Sequence, residues 1–228
     1  MITQIEIENF KCLDKLSVPL SKLTVLAGLN GMGKSTFMQS LLLLHQSAIE
    51  SKNPLSNLIC KGAWVDLGRD SDVLWEGADS ERIKFDLKTD FGALHPDGFA
   101  FSLDKNTGEF AAEDDYSKNL RSTYGIFTDQ FHFLRAERWG PRVSLPISNE
   151  AVRVHRQFGR DGEFTAFFLS EFGTESVENR RILHPKAQST QLIHQTEAWL
   201  GEISPGARLY TNSHEDLDLV SLQFAFAS

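Results

Sequence analysis

Nine residues constrain this chain more than any others. Gly28, Leu29, Asn30, Gly31, Met32, Gly33, Lys34, Ser35 and Thr36 satisfy G-x-x-x-x-G-K-[ST], a pattern with chemical meaning only between a strand and a helix. Both flanks supply that context. Residues 23–27 (L-T-V-L-A) predict a strand entering the loop, and residues 36–44 predict a helix leaving it, with no proline or glycine inside. Glycine at 28, 31 and 33 lets successive N–H groups turn inward around a polyphosphate. The start of the following helix adds its own unbonded N–H groups and the positive end of its dipole. In such a loop Lys34 reaches the β- and γ-phosphates, the Ser35 hydroxyl holds Mg²⁺, and Thr36 adds a contact near the α-phosphate. The expected phosphate-binding set is therefore Asn30, Gly31, Met32, Gly33, Lys34, Ser35 and Thr36, with Ser35 as the metal ligand.

Composition narrows the partners. The chain has 228 residues and a net charge of −8, which argues against a uniformly basic nucleic-acid binder and leaves only a local basic face. Cys12 and Cys60 lie far apart, with no second Cys or His at metal spacing, so buried reduced thiols are expected instead of zinc. No apolar run approaches the ~20 residues that span a bilayer, and Met1 leads straight into an alternating segment. No membrane partner is expected, and the cytoplasm is the expected location.

Ile2, Ile5 and Ile7 alternate with polar residues up to Phe10, which predicts a half-buried strand. Residues 16–20 predict a second, with Pro19 confining it to a sheet edge or strand end. Residues 82–88, 99–103 and 108–112 predict three more, the last two joined by a turn at 104–107. Trp75, Phe85, Phe99 and Phe101 are expected in the core of that β-rich region. Residues 41–44 are apolar all round, predicting a helix buried on more than one side, and His45 after them reads as solvated or capping. Residues 131–134 predict a short buried strand leading to Arg135, Glu137, Arg138 and Arg142. Arg153 and Arg156 mark a basic, partly helical stretch, either a binding face or solvated surface. From 163 to 203 the pattern is helical, with stripes at Phe164, Phe167, Phe168 and Phe172 and at Leu192, Ile193, Thr196, Trp199 and Leu200. Strands return at 208–210 and 219–226.

Three segments carry a family resemblance. Ile5, Ile7, Asn9, Phe10 and Lys11 (I-x-I-x-N-F-K), followed by L-T-V-L-A-G-x-N-G-x-G-K-S-T, resemble the N-terminal segment of ABC-type ATPases of the RecF, SMC and OLD kind. Asn30 separates that group from Ras-like and kinase-like loops. Residues 62–75 resemble G-x-[YW]-V-D-L-G-x-x-x-D-[VL], and residues 131–142 resemble F-x-Y-[IL]-x-A-x-R-x-G-P-R, both of OLD-like predicted AAA-family ATPases. The resemblance implies an α/β P-loop NTPase of ABC-ATPase type with a mixed sheet, an antiparallel β-subdomain and a helical segment. It further implies ATP and Mg²⁺ as cofactors and a homodimer that sandwiches ATP. Nucleic acid or an effector nuclease is the implied partner, with a role in nucleic-acid processing or anti-phage defence. Within it Arg138 is a phosphate or partner contact. The family places a metal-contacting Gln near 62–75; none lies between Gln46 and Gln130, so Asp66 or Asp72 either substitutes or only caps a turn.

The expected organisation is an ATPase core with β-subdomain at 1–143, a mainly helical segment at 144–205 and strands returning to the core at 206–228. A signature loop and an apolar strand ending in Asp-Glu are missing; the nearest imitation, 126–129, is followed by Gln130 in place of the glutamate. No catalytic residue is assigned. The expectation is an N-terminal lobe of a longer ATPase whose other lobe carries those parts. The alternative is a nucleotide-sensing or protein-interaction module without turnover.

Overall fold

The computed structural model describes residues 1–117, 120, 125–128, 130–140 and 142–226, with Glu215 as backbone alone. The chain divides into two compact units, Met1–Phe131 and His132–Ser228.

The first unit is built on an antiparallel sheet. β1 (Ile2–Phe10) and β2 (Leu13–Pro19) form a hairpin closed by the two residues Lys11 and Cys12, with Phe10 opposite Leu13. Lys11 adopts φ +52° to make that tight reversal. After α1 (Lys34–Glu50) come β3 (Arg82–Thr89), β4 (Gly92–Ala93), β5 (Phe99–Leu103) and β6 (Phe110–Ala112). The order is β2-β1-β3-β5-β6, with β4 pairing the end of β3. Strict alternation in β3 sends Ile83, Phe85, Leu87 and Thr89 inward and Arg82, Lys84, Asp86 and Lys88 outward. Ile5, Ile7, Phe10, Phe99, Phe101 and Phe110 complete this core, each at most 1% exposed. Burying each such side chain contributes about 1.5–3 kcal/mol. Pro19 stands at the end of edge strand β2, as its missing N–H requires.

Residues 23–27 do not form the strand that their composition predicts. They carry no regular secondary structure, with Leu23 in a bend, and Leu23 is 80% and Val25 76% exposed. Strand propensity is a preference for a pleated surface with neighbours, and among the described residues nothing pairs with this segment. Both described sheets are consequently antiparallel throughout, where a mixed sheet was expected.

The second unit contains β7 (Leu145–Pro146), a π-helical turn at Glu150–Val154, α2 (Thr165–Phe172), α3 (Leu192–Gly201), β8 (Ala207–His214) and β9 (Leu219–Phe226). β8 and β9, read from sequence as strands returning to the core, pair with each other, and β9 pairs with β7. Their core joins Val152, Ala166, Phe167 and Val220, packed by Phe164, Phe168, Phe172 and Leu222. The α2 stripe is therefore core. In α3 the buried positions are instead Gln195 and Glu197, while Trp199 is 52% exposed. Gln195 receives the His184 N–H (2.6 Å), and Glu197 receives the Leu209 N–H (2.8 Å) and the Arg208 guanidinium (2.7 Å). Apolar periodicity alone cannot see a helix docked by polar side chains. Residues 131–134 form no strand either; His132 and Leu134 are exposed.

Candidate functional site

The phosphate loop passes straight into α1. Gly33 is the residue before the helix and adopts φ +86°, and a Cβ there would come 3.1 Å from Leu13 Cδ2. The left-handed backbone favours glycine at this position, and a Cβ would also press on the tip of the β1–β2 hairpin. Gly31, at φ +83°, needs it for the backbone alone. The first intrahelical bond of α1 runs from Phe37 N–H to Gly33 O (2.9 Å), and no side chain caps the helix start. The preceding N–H groups are left for an external acceptor, and no acid in the first turn competes for them.

Lys34 folds back over the loop. Its Nζ donates to Gly28 O (2.7 Å) and Leu29 O (2.6 Å). Ser35 is exposed on the first turn, as are Asn30, Gly31 and Met32 on the loop; Thr36 is half-buried. The seven predicted residues are thus gathered on one surface at the helix start.

The structure adds a flank that sequence reading missed. The tip of the β1–β2 hairpin lies against the helix start, with Cys12 Sγ 3.4 Å from the Thr36 hydroxyl and Lys11 Nζ donating to Gln39 Oε1 (3.2 Å). Backbone bonds from Lys11 N–H to Val73 O (2.8 Å) and from Trp75 N–H to Asn9 O (3.1 Å) fix the 73–75 segment beside that tip. Lys11, Cys12, Asp72, Leu74, Trp75 and Glu76 line a cleft of about 510 Å³. Trp75, expected in the core with Phe85, Phe99 and Phe101, is half-buried in the wall of this cleft. The signal lay in the two-residue turn, since the Phe10–Leu13 pairing brings both Lys11 and Cys12 to the loop.

Asp66 and Asp72 act at turns. Asp66 accepts the Gly68 N–H (3.0 Å), and Asp72 pairs with Arg69, whose guanidinium holds its carboxyl below the ordinary range. His45 corrects the expectation of a solvated side chain. It is 1% exposed, donates from Nδ1 to Ile126 O (2.6 Å) and meets Trp64 edge-on. Beside it, Gln46 makes four hydrogen bonds: Oε1 accepts from Trp64 and Val65 N–H, and Nε2 donates to Ile59 and Val65 carbonyls. This side chain docks the 59–65 loop on the helix that begins at Lys34. Cys60 in that loop is buried, and desolvation together with the nearby Asp70 carboxylate pushes its thiol up to about 12.

In the second unit Arg138 is exposed, with Nε donating to Arg135 O (2.8 Å). Arg153 and Arg156 pair with Glu171 and Glu175, which favours solvated, ion-paired surface over a basic binding face. Asp129 of the 126–129 segment, Pro141, and residues 118, 119, 227 and 228 lie outside the described residues. Among the described residues no group of three or more His, Cys, Asp or Glu is placed to hold a metal ion. Among the described residues no helix is long and apolar enough to cross a membrane.

Residues 1–212 match the family model described as an AAA ATPase domain. No curated protein matches the chain.

Proposed function

The chain belongs to the AAA ATPase domain family, a family of ATP-binding domains, and on that premise we propose that it supplies the phosphate-holding half of a composite ATPase site. The observation that carries this reading is the uncapped start of α1 behind left-handed Gly33, with Lys34 held over the loop. These groups fit a nucleoside triphosphate. Backbone N–H groups at the helix start would hold its phosphates, Lys34 would exchange two carbonyl acceptors for phosphate oxygens, and Ser35 would hold Mg²⁺. The metal, when bound, would neutralise charge on the transferred phosphoryl group. The cleft at Lys11, Cys12 and Trp75 gives the remainder of the nucleotide an adjoining wall.

The composite character is supported by residues 23–27. An apolar segment of strand-forming composition enters the loop with no sheet partner among the described residues, so a sheet that includes it would draw strands from elsewhere. We assign to those strands the catalytic acid and signature loop that this sequence lacks. The finer reading is an ATPase of the RecF, SMC and OLD kind, acting in the cytoplasm in nucleic-acid processing or phage defence. It would work as a homodimer around ATP, with nucleic acid or an effector nuclease as partner. Asn30 and the residues from Ile5 to Lys11 support it.

Calorimetric titration with Mg²⁺-ATP tests the assignment. The chain should bind, Lys34→Ala should bind at least tenfold more weakly, and hydrolysis by either should stay near background. Brisk, Lys34-dependent turnover by this chain alone would overturn the composite reading, and equal binding by the two proteins would overturn the site.

A further inference from the structure

Most arginines of the second unit that have a fixed partner face a carboxylate: Arg153 faces Glu171, Arg156 faces Glu175, Arg208 faces Glu197 and Arg135 faces Asp161. Arg138 and Arg142 are pinned differently. Arg138 is tied through Nε to the Arg135 carbonyl (2.8 Å), and the Arg142 guanidinium lies 4.0 Å over the Trp139 ring. Neither arrangement uses the outer N–H edge of a guanidinium, which is the edge that recognises an anion. Stacking on an aromatic face orients the group without consuming its in-plane donors.

Both arginines line one cleft of about 410 Å³. Leu145, Ala166, Leu222 and Phe224 give it an apolar floor, and Thr165 stands on the rim at the start of α2, a helix with no side-chain cap. Backbone bonds from Arg135 N–H to Arg160 O (2.8 Å) and from Trp139 N–H to Asp161 O (3.1 Å) hold the arginine segment against this rim. Asp161 also lines the cleft, and its Oδ1 is buried without a hydrogen bond, 3.6 Å from Arg135 Nη1. The Arg135 guanidinium compensates that buried oxygen by charge, so the carboxylate of Asp161 belongs to the wall of the cleft.

We infer that this cleft is a second ligand site, for a small organic anion with an apolar body. The two guanidinium edges take the anionic group and the floor takes the apolar body. The volume lies within the range of small-molecule sites. The carboxylate and the floor together disfavour a bare phosphate or a nucleic-acid backbone, which would gain nothing from Leu222 or Phe224 and would be repelled by Asp161.

A matched pair of probes tests this, 6-hydroxynaphthalene-2-sulfonate and its uncharged sulfonamide, titrated by calorimetry against the whole chain. The sulfonate should bind with one site and at least tenfold preference over the sulfonamide. Arg138→Gln with Arg142→Gln should abolish that preference. Thr165→Phe, which fills the cleft from its exposed rim without disturbing the core, should weaken both probes. Lys34→Ala and excess Mg²⁺-ATP should change neither titration, so this result stands or falls apart from the ATP site. Equal binding of the two probes, no effect of Thr165→Phe, or displacement by a single-stranded oligonucleotide would overturn the proposal.

Discussion

At the scale of single residues, the two cysteines show how position sets chemistry. Cys12 is exposed on the hairpin turn, 3.4 Å from Thr36, while Cys60 is buried with its thiol raised to about 12. The thiolate is the reactive form. A disulfide reagent at pH 8 should therefore titrate one thiol per folded chain and two per unfolded chain; fast labelling of both in the native protein would contradict the burial of Cys60. Labelling Cys12 should also slow when Mg²⁺-ATP is present, because the side chain borders the loop. The glycines and Lys34 were legible from the pattern alone, since left-handed backbone and a phosphate-facing lysine are properties of the loop itself. Lys11, Cys12 and Trp75 were not. Their place beside the loop follows from the pairing of Phe10 with Leu13 and from bonds between segments more than sixty residues apart.

At the scale of elements, α1 illustrates a helix whose position is fixed by polar groups. Of residues 41–44, expected to be buried all round, Leu42, Leu43 and Leu44 are buried and Leu41 is half-buried, but Gln46 supplies four hydrogen bonds to the 59–65 loop, and Ser47 and Glu50 receive N–H groups from Ile59 and Ala63. Gln46→Ala leaves several buried backbone groups unpaired, each costing about 1–3 kcal/mol. Partial rehydration offsets some of this, so the expected loss is about 2–4 kcal/mol. Denaturant melts should show it, and amide exchange should accelerate in 59–65 first. Unchanged exchange there would mean that the loop is held by its apolar residues alone. Strand β3 and the Ile5–Ile7 stretch of β1 were readable because alternation and burial agree, while β5, buried at Phe99, Ala100 and Phe101 in succession, was readable from its aromatic composition. Residues 23–27 and 131–134 were misread because composition describes what a segment prefers, whereas pairing depends on a neighbour.

At the scale of the molecule, acid stability follows from ion pairs in both units. Glu6 bonded to Lys88 and Glu113 bonded to Arg82 in the first unit, and Glu171 with Arg153 and Glu175 with Arg156 in the second, all have carboxyls held below their ordinary range. A carboxylate whose folded value is depressed stabilises the fold above its unfolded value and loses that contribution as pH falls through the folded one. Thermal stability should accordingly be flat above about pH 5 and decline below about pH 4.5. Glu113→Gln should flatten the decline for the first unit alone. Because these groups are partly or fully solvated, 0.5 M salt should shrink the effect; a salt-independent acid transition would point to buried groups instead.

The bare segment at residues 23–27 has a thermodynamic corollary. Five residues outside any described strand stand directly before the phosphate-loop motif, and fixing a backbone residue costs about 1–2 kcal/mol. On the composite reading, a strand supplied beside them would remove that cost once, in advance of any ligand. Occupancy of the loop and completion of the sheet would then be linked equilibria, each raising the affinity of the other by the same factor.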